Sequence, residues 1–455
     1  MRIFPPEVKV EEKEGFTPEK DIFGRKNFGE NLTDFLANIE DPMVLVLDDQ
    51  WGSGKTTFIK MWAGHLRNKG FPVVYFDAFA NDYIDDAFSA IAGEVIGLAE
   101  ENNDDVQEAK EKLLDYSVSA LKVIAGGGLK LGVKAATLGV LGSEELEAFS
   151  NISADIEAQV SGAADKVIRN TLEKQVEQKH VFEEFRESLK GLIWSLQSNQ
   201  ENKKPLVFII DELDRCRPDF ALQIIEKIKH FFSIEGMHFV LVTHLRQLES
   251  SVKFAYGAEV DATRYLQKFY HYKLSFPDSN TMIQESYIEQ YVRHIFSGFP
   301  SDHERGSYSH ELAHTVIRFA ELKNLSFREI ERICTNIAVV LAFTSDGFFR
   351  VPPIIAGLCI MKNMRPDLFD KAKAGTLTFA EVNDFMQFDD WVKSGYVCGD
   401  FDKGWWEYFL LEELPEGSRN WQNYNRALFR NNIDRKSGVV FSAQKIVDIL
   451  QNRLT

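Results

Sequence analysis

The sequence predicts an α/β chain: a parallel-sheet core, a large helical insertion inside it, and a mainly helical C-terminal region. Three observations carry this. Short, nearly continuous apolar runs end in turns or carboxylates at 43–47, 72–76, 205–210 and 238–242. Strands of that kind are buried on both faces, as in parallel sheets covered by helices. Helical periodicity fills 85–200, and it returns from residue 281 to the end of the chain.

Taken in order, residues 1–20 are charged, carry Pro5, Pro6 and Pro18, and read as a mobile N-terminal arm. The α/β core is expected over 21–280. It opens with an amphipathic helix at 27–39, the first strand at 43–47, a glycine-rich turn, and a helix from Lys55 to about Lys69. The second strand, 72–76, follows at βαβ spacing. The insertion then runs over about 85–200, before the strands at 205–210 and 238–242. A helical lid is expected over 281–345 and a helical region without assigned role over 346–455, rich in tryptophan at Trp405, Trp406 and Trp421.

Composition narrows the class. With 44% hydrophobic and 27% charged residues, the chain is an ordinary globular one, and its 36 phenylalanines predict aromatic-rich cores. The 52 basic residues against 69 acidic ones, a net of -17, argue against a broad nucleic-acid surface, although a local basic groove is compatible with them. Cys216, Cys334, Cys359 and Cys398 are far apart and form no CxxC pair, which points to reduced, buried thiols and a cytoplasmic compartment. The opening MRIFPPEVKVEEKEG has no apolar core of a signal peptide, and no stretch of ~18 uncharged apolar residues predicts a membrane span.

The strongest chemical signal is MVLVLDDQWGSGKTTF. A buried strand ends, Trp51, Gly52, Ser53 and Gly54 form a loop, and Lys55, Thr56 and Thr57 open a helix. Small residues let backbone N–H groups wrap phosphate oxygens, and the helix N-terminus favours anions. Lys55 is placed for the β- and γ-phosphates and Thr56 for magnesium. Asp49 stands where the usual pattern has glycine. A carboxylate there weakens phosphate binding unless it points away or meets a cation.

A second signal, PLVFIIDELDRC, puts carboxylates at the C-terminal end of a strand, where ligands bind in open α/β sheets. Asp211 is placed to hold magnesium through water. Glu212 is the candidate general base that polarises the attacking water. After FVLV, Thr243 is a candidate γ-phosphate contact and His244 a weaker one; helix capping explains both equally simply.

With DIFGRKNF, VVYFDAFAND, FVLVTHLRQL, YLQKFYHYKLSFP and SFREIERICTNI added, the chain resembles the KAP family of P-loop NTPases over about residues 20–340. The resemblance implies an ATPase using ATP and Mg2+, in a branch related to AAA+ and STAND proteins. It implies phosphate and magnesium binding by Lys55 and Thr56, an acidic strand end at Asp211 and Glu212, and an adenine-facing segment at Gly24 and Arg25. Arg328 matches the basic residue of a helical lid that senses the γ-phosphate. Arg215 and Arg217 become candidates for contacts across a subunit boundary, with Asp214 beside them. The resemblance further implies a homo-oligomer, a protein partner or effector remodelled by the nucleotide state, and a bacterial setting in antiviral defence. A nucleotide-dependent scaffold without turnover is the competing reading.

Many relatives insert two transmembrane helices between the two nucleotide motifs. Here 118–142 carries Lys122, Lys130 and Lys134, too polar to span easily. A packed helical subdomain, an oligomer contact and a peripheral membrane helix are its three readings. Finally, His310, Glu311 and His314 spell HExxH, a zinc-protease pattern, with Glu329 or Glu331 as a third ligand. No independent feature supports it, and it stands as a minor alternative.

Overall fold

The computed structural model describes residues 9–84, 86–100, 106–124, 161–198, 204–277, 286–299, 306–343, 351–393, 399–412, 439–440 and 442–444. Its centre is a five-stranded parallel sheet. In chain order come α1 (Lys26–Ala37), β1 (Met43–Asp48), α2 (Lys55–Asn68) and β2 (Val73–Asp77). Helices α3 (Ala87–Glu100), α4 (Gln107–Val123) and α5 (Ser161–Ser198) follow. Then come β3 (Leu206–Asp211), α6 (Pro218–Lys227), β4 (Met237–Thr243), α7 (Leu245–Tyr256), α8 (Ala262–Leu266) and β5 (Tyr272–Leu274). The strand order is β2-β3-β4-β1-β5, and every pair is parallel. The four strands expected from the sequence are present within a residue or so of their predicted ends. The fifth, β5, has two exposed residues and one half-buried one, and no apolar run to announce it.

Strand alternation sorts side chains onto two faces. Leu45, Leu47, Val207, Ile209, Val240 and Val242 meet α1 and α2. Val44, Val46, Phe208, Ile210, Phe239 and Leu241 meet the other layer, with Phe88, Ile91, Leu113, Phe185 and Leu189 of the insertion. The described part of the insertion is therefore one wall of the core. Residues 125–142, most of the lysine-bearing stretch, lie outside the described residues. Among the described residues no helix is long and apolar enough to cross a membrane.

The segment expected to be a mobile arm is, over 9–20, laid along α2. Phe16 packs against Phe58 and His65. Arg67 donates to the Glu12 carbonyl at 2.8 Å. The chain comes so close to α2 at Gly64 that a Cβ there would lie 2.1 Å from the Glu14 carbonyl oxygen. Its many charges fit an exposed strap as well as an arm, and only the fold reveals which apolar residue anchors it.

The second helical unit holds α9 (Tyr287–Ser297), α10 (Gly306–Lys323), α11 (Phe327–Phe343), α12 (Pro352–Met364), α13 (Pro366–Ala374), α14 (Phe379–Met386), α15 (Phe388–Lys393) and α16 (Gly399–Leu410). One buried cluster runs from Val292 through Ile337, Ile355 and Trp406 to Ala443. The expected boundary near residue 345 thus falls within a shared core. At Gly357 a Cβ would meet the Trp406 ring at 2.6 Å, so α12 and α16 pack at the closest approach glycine allows.

Candidate functional site

Parallel register lines up the strand ends. Asp77 pairs with Asp211, and Asp48 with Thr243. Polar side chains thus gather on the C-terminal rim, beside the loop between β1 and α2. That loop needs glycine twice: Gly52 has φ +77° and Gly54 φ +83°, both left-handed. The Gly52 carbonyl accepts a hydrogen bond from the Phe327 N–H at 3.2 Å. Ser326 and Glu329 cap α11 reciprocally, with Ser326 N–H to Glu329 at 2.8 Å, which fixes the start of that helix over the loop.

Lys55 is buried, and its ammonium donates to the loop carbonyls of Asp49 and Gln50, the latter at 2.9 Å. Burial lowers its pKa, while Asp214, Asp49 and Asp211 oppose that shift. The Asp49 carboxylate accepts the Gln50 N–H at 2.7 Å and faces the cations of Arg25 and Lys55. The residue that breaks the glycine pattern is thus locally satisfied and electrically balanced.

Asp211 is 1% exposed. Tyr75 donates to it at 3.0 Å, as does the Glu212 N–H at 2.8 Å, and Thr56 faces it. Burial nevertheless raises its pKa, and Asp77 adds to the rise. A buried carboxylate, a hydroxyl and a second carboxylate next door are hard oxygen donors suited to a divalent cation such as magnesium. Glu212 sits at φ +58°, a left-handed backbone rare for this residue. The turn aims its carboxylate at Arg215, whose Nη1 lies 2.6 Å away. Burial raises the Glu212 pKa, while Arg215 and Arg328 pull it back.

These groups line one cavity of about 710 Å3 between the sheet rim, the N-terminal strap and α11. Lys55, Thr56, Thr57, Asp211, Glu212 and Arg328 share it with Trp51, Gly52, Gly54 and Arg25. Gly24, Ser53 and Thr243 do not line it. Thr243 is fully buried behind the loop, where its carbonyl accepts the Asp49 N–H at 3.4 Å. Its hydroxyl has no partner there. Arg25 supports the loop from below: it donates to the Ser53 carbonyl at 2.9 Å and lies 3.6 Å over the Phe276 ring. Burial brings its pKa down to about 10. Trp51 bonds Asp214 through its indole N–H and packs edge-on to His244.

Sequence reasoning missed the aromatic wall. Phe23 stacks on Phe327 at 4.8 Å, and Tyr291 lies 4.4 Å from Phe327. Phe23 belongs to DIFGRKNF, so its neighbourhood was signalled, but pairing it with residues some three hundred positions away was not. Tyr75 and Asp77 were likewise hidden inside an ordinary strand.

The sequence of residues 25–343 matches the KAP family P-loop domain. The chain belongs to the KAP family. No curated protein matches it. Two structures of the ORC2 protein of Aeropyrum pernix align with the chain. In the ADPNP–ADP complexes the identity is 10%, with 100% of this chain and 98% of that chain covered and a TM-score of 0.38. In the ADP form it is 11%, with 99% and 96% covered and a TM-score of 0.34. Likeness at that level bears no functional argument. This KAP protein is a P-loop NTPase by family and by its parallel sheet, and nucleotide binding follows from that family.

The HExxH residues lie apart from the cavity, on α10. Burial lowers His314 to about 4, with Arg318 and His310 adding to the fall. Glu329 is held by Ser326, and Glu331 accepts from Tyr291. Among the described residues no group of three His, Cys, Asp or Glu could hold a metal ion.

Proposed function

We propose that this KAP protein binds ATP with magnesium between the sheet rim and α11, and hydrolyses it. The observation that carries this reading is the joint placement of Lys55, Thr56, Asp211, Glu212 and Arg328 on one cavity. Lys55 leaves the Asp49 and Gln50 carbonyls to hold the β- and γ-phosphates, and the loop N–H groups bind their oxygens. Thr56 and Asp211 would hold a magnesium ion, whose charge would offset that of the phosphates. Glu212 takes a proton from the water whose oxygen attacks the γ-phosphorus, giving ADP and phosphate. Arg328 faces the charge that develops on the γ-phosphoryl group. Thr243 stands behind the loop as a polar support for that end.

In this reading 281–345 is a lid and Phe327 is its pivot on Gly52. Nucleotide-dependent lid angle would set subunit assembly and act on a protein partner. Family likeness adds the expectation of an antiviral setting in bacteria. Steady-state hydrolysis tests the core of this: wild type turns over, Lys55→Ala loses binding, and Glu212→Gln binds ATP without turnover. Native mass with and without ATP and magnesium tests assembly; an unchanged mass overturns it.

A second reading, a switch that holds ATP without turning it over, is favoured by the Glu212–Arg215 pair, which occupies the proposed base. Equal near-zero rates in wild type and Glu212→Gln, with tight ATP binding in both, would establish the switch instead.

A further inference from the structure

Two donors from different elements hold the Asp211 carboxylate. The N–H of Glu212, its neighbour on the chain, donates to Oδ1 at 2.8 Å. The Tyr75 hydroxyl, on β2, donates to Oδ2 at 3.0 Å. An ionised carboxylate only accepts, so the single hydroxyl proton of Tyr75 is committed to this bond. With one oxygen tethered, the group could still pivot about that contact. With both tethered, from two strands that are hydrogen-bonded to each other, its plane is fixed.

The register explains why a tyrosine does this. Tyr75 is level with Ile209, and Asp77 with Asp211. Tyr75 therefore stands two residues below Asp211, about 6.6 Å at 3.3 Å per residue, on the face that α1 and α2 cover. A phenol leaning along the strand spans that distance, whereas serine and threonine are too short. The ring packs on the core beneath α2, and the Lys60 ammonium lies 5.6 Å from its centre. Tyr75 does not line the nucleotide cavity. It lines a smaller one of about 270 Å3 under the strap, with Glu12, Lys60 and Arg67. Of the pair, only Asp211 is on the nucleotide cavity, and Tyr75 reaches it from outside.

We infer that Tyr75 is the positioning residue of the magnesium site: its hydroxyl holds the Asp211 carboxylate in the orientation that receives the ion. This rests on the nucleotide reading above. Hydrogen bonds to a metal-binding carboxylate set its direction, and their loss weakens the metal rather than the nucleotide. The role also explains a polar group at this place in β2, where the neighbouring face is otherwise apolar core.

Calorimetric titration of the full chain with ATP, in EDTA and again with saturating magnesium, tests the inference on Tyr75→Phe, which keeps the ring and removes only the hydroxyl. By linkage, a weakened ion appears as weakened ATP binding only when the ion is present. Wild type should bind ATP more tightly with magnesium. Tyr75→Phe should match wild type in EDTA and bind ATP about tenfold more weakly than wild type with magnesium. A merely structural role lowers affinity by the same factor in both conditions. Equal losses in both, no loss in either, or a wild type indifferent to magnesium overturn the inference alone. A wild type that binds no ATP in either condition overturns the nucleotide reading, and this inference with it.

Discussion

The Gly52 carbonyl accepts a hydrogen bond from the Phe327 N–H at 3.2 Å, joining the phosphate loop directly to the first turn of α11. A Cβ on Gly52 would lie 3.2 Å from both the Arg328 nitrogen and the Ser326 Cβ. The left-handed backbone adds a further penalty of about 1 kcal/mol for a side chain there. Gly52→Ala should therefore push α11 off the loop and weaken ATP binding by about tenfold or more. Fluorescence titration of Phe327→Leu, which keeps the backbone bond, provides the comparison and should show a smaller loss.

The Glu212–Arg215 pair sets a pH signature. Burial raises the Glu212 pKa and Arg215 lowers it. A general base works only when deprotonated, so hydrolysis falls as pH drops through this pKa. Removing the cation raises the pKa further. Arg215→Ala should shift the acid limb of the hydrolysis profile to higher pH; an unmoved limb would mean that Glu212 is not the base.

At Gly64 the strap leaves no room for a side chain. Gly64→Ala should destabilise the protein by about 1–3 kcal/mol through overpacking. The displaced strap leads directly into Ile22 and Phe23, which line the cavity. ATP affinity should fall together with the unfolding midpoint, and limited proteolysis should cut earlier within residues 9–20.

Asp402 is 2% exposed and accepts a hydrogen bond from Thr315 at 2.8 Å. Burial raises its pKa to about 7, and Glu311 contributes to the rise. In the unfolded chain an aspartate titrates near ~3.9. The folded state therefore holds the extra proton between those values, and stability falls as pH rises from about 4 to about 7. Asp402→Asn should flatten that slope and be more stable than wild type at pH 8 in thermal melts. Glu311→Gln should reduce the slope while leaving nucleotide hydrolysis intact.

The parts legible in the sequence were local ones. The run MVLVL, the glycines and Lys55 lie within one short stretch, as do FIID and Glu212, and each stretch needs only its own flanks to be understood. Asp49 was legible as an anomaly but not as a solution, because its cations include Arg25, which reaches the loop from another element. Phe23, Tyr291 and Phe327 are three unremarkable aromatics until the fold brings them together. Phe16 resembles any residue of a charged terminus until Gly29, Phe58 and His65 surround it. Chain-distant packing, rather than chemistry, is what one sequence conceals.

The unbroken core from Val292 to Ala443 gives the contact at Gly52 mechanical reach. A helix that rocked on its own would spend the motion locally. Here α11 is cemented to α12, and α12 to α16, so a tilt of α11 on the loop would turn the whole second helical unit. The displacement grows with distance from the fulcrum. The largest sweep therefore belongs to surfaces far from the phosphates, and a partner that reads the nucleotide state would gain most by gripping the protein there.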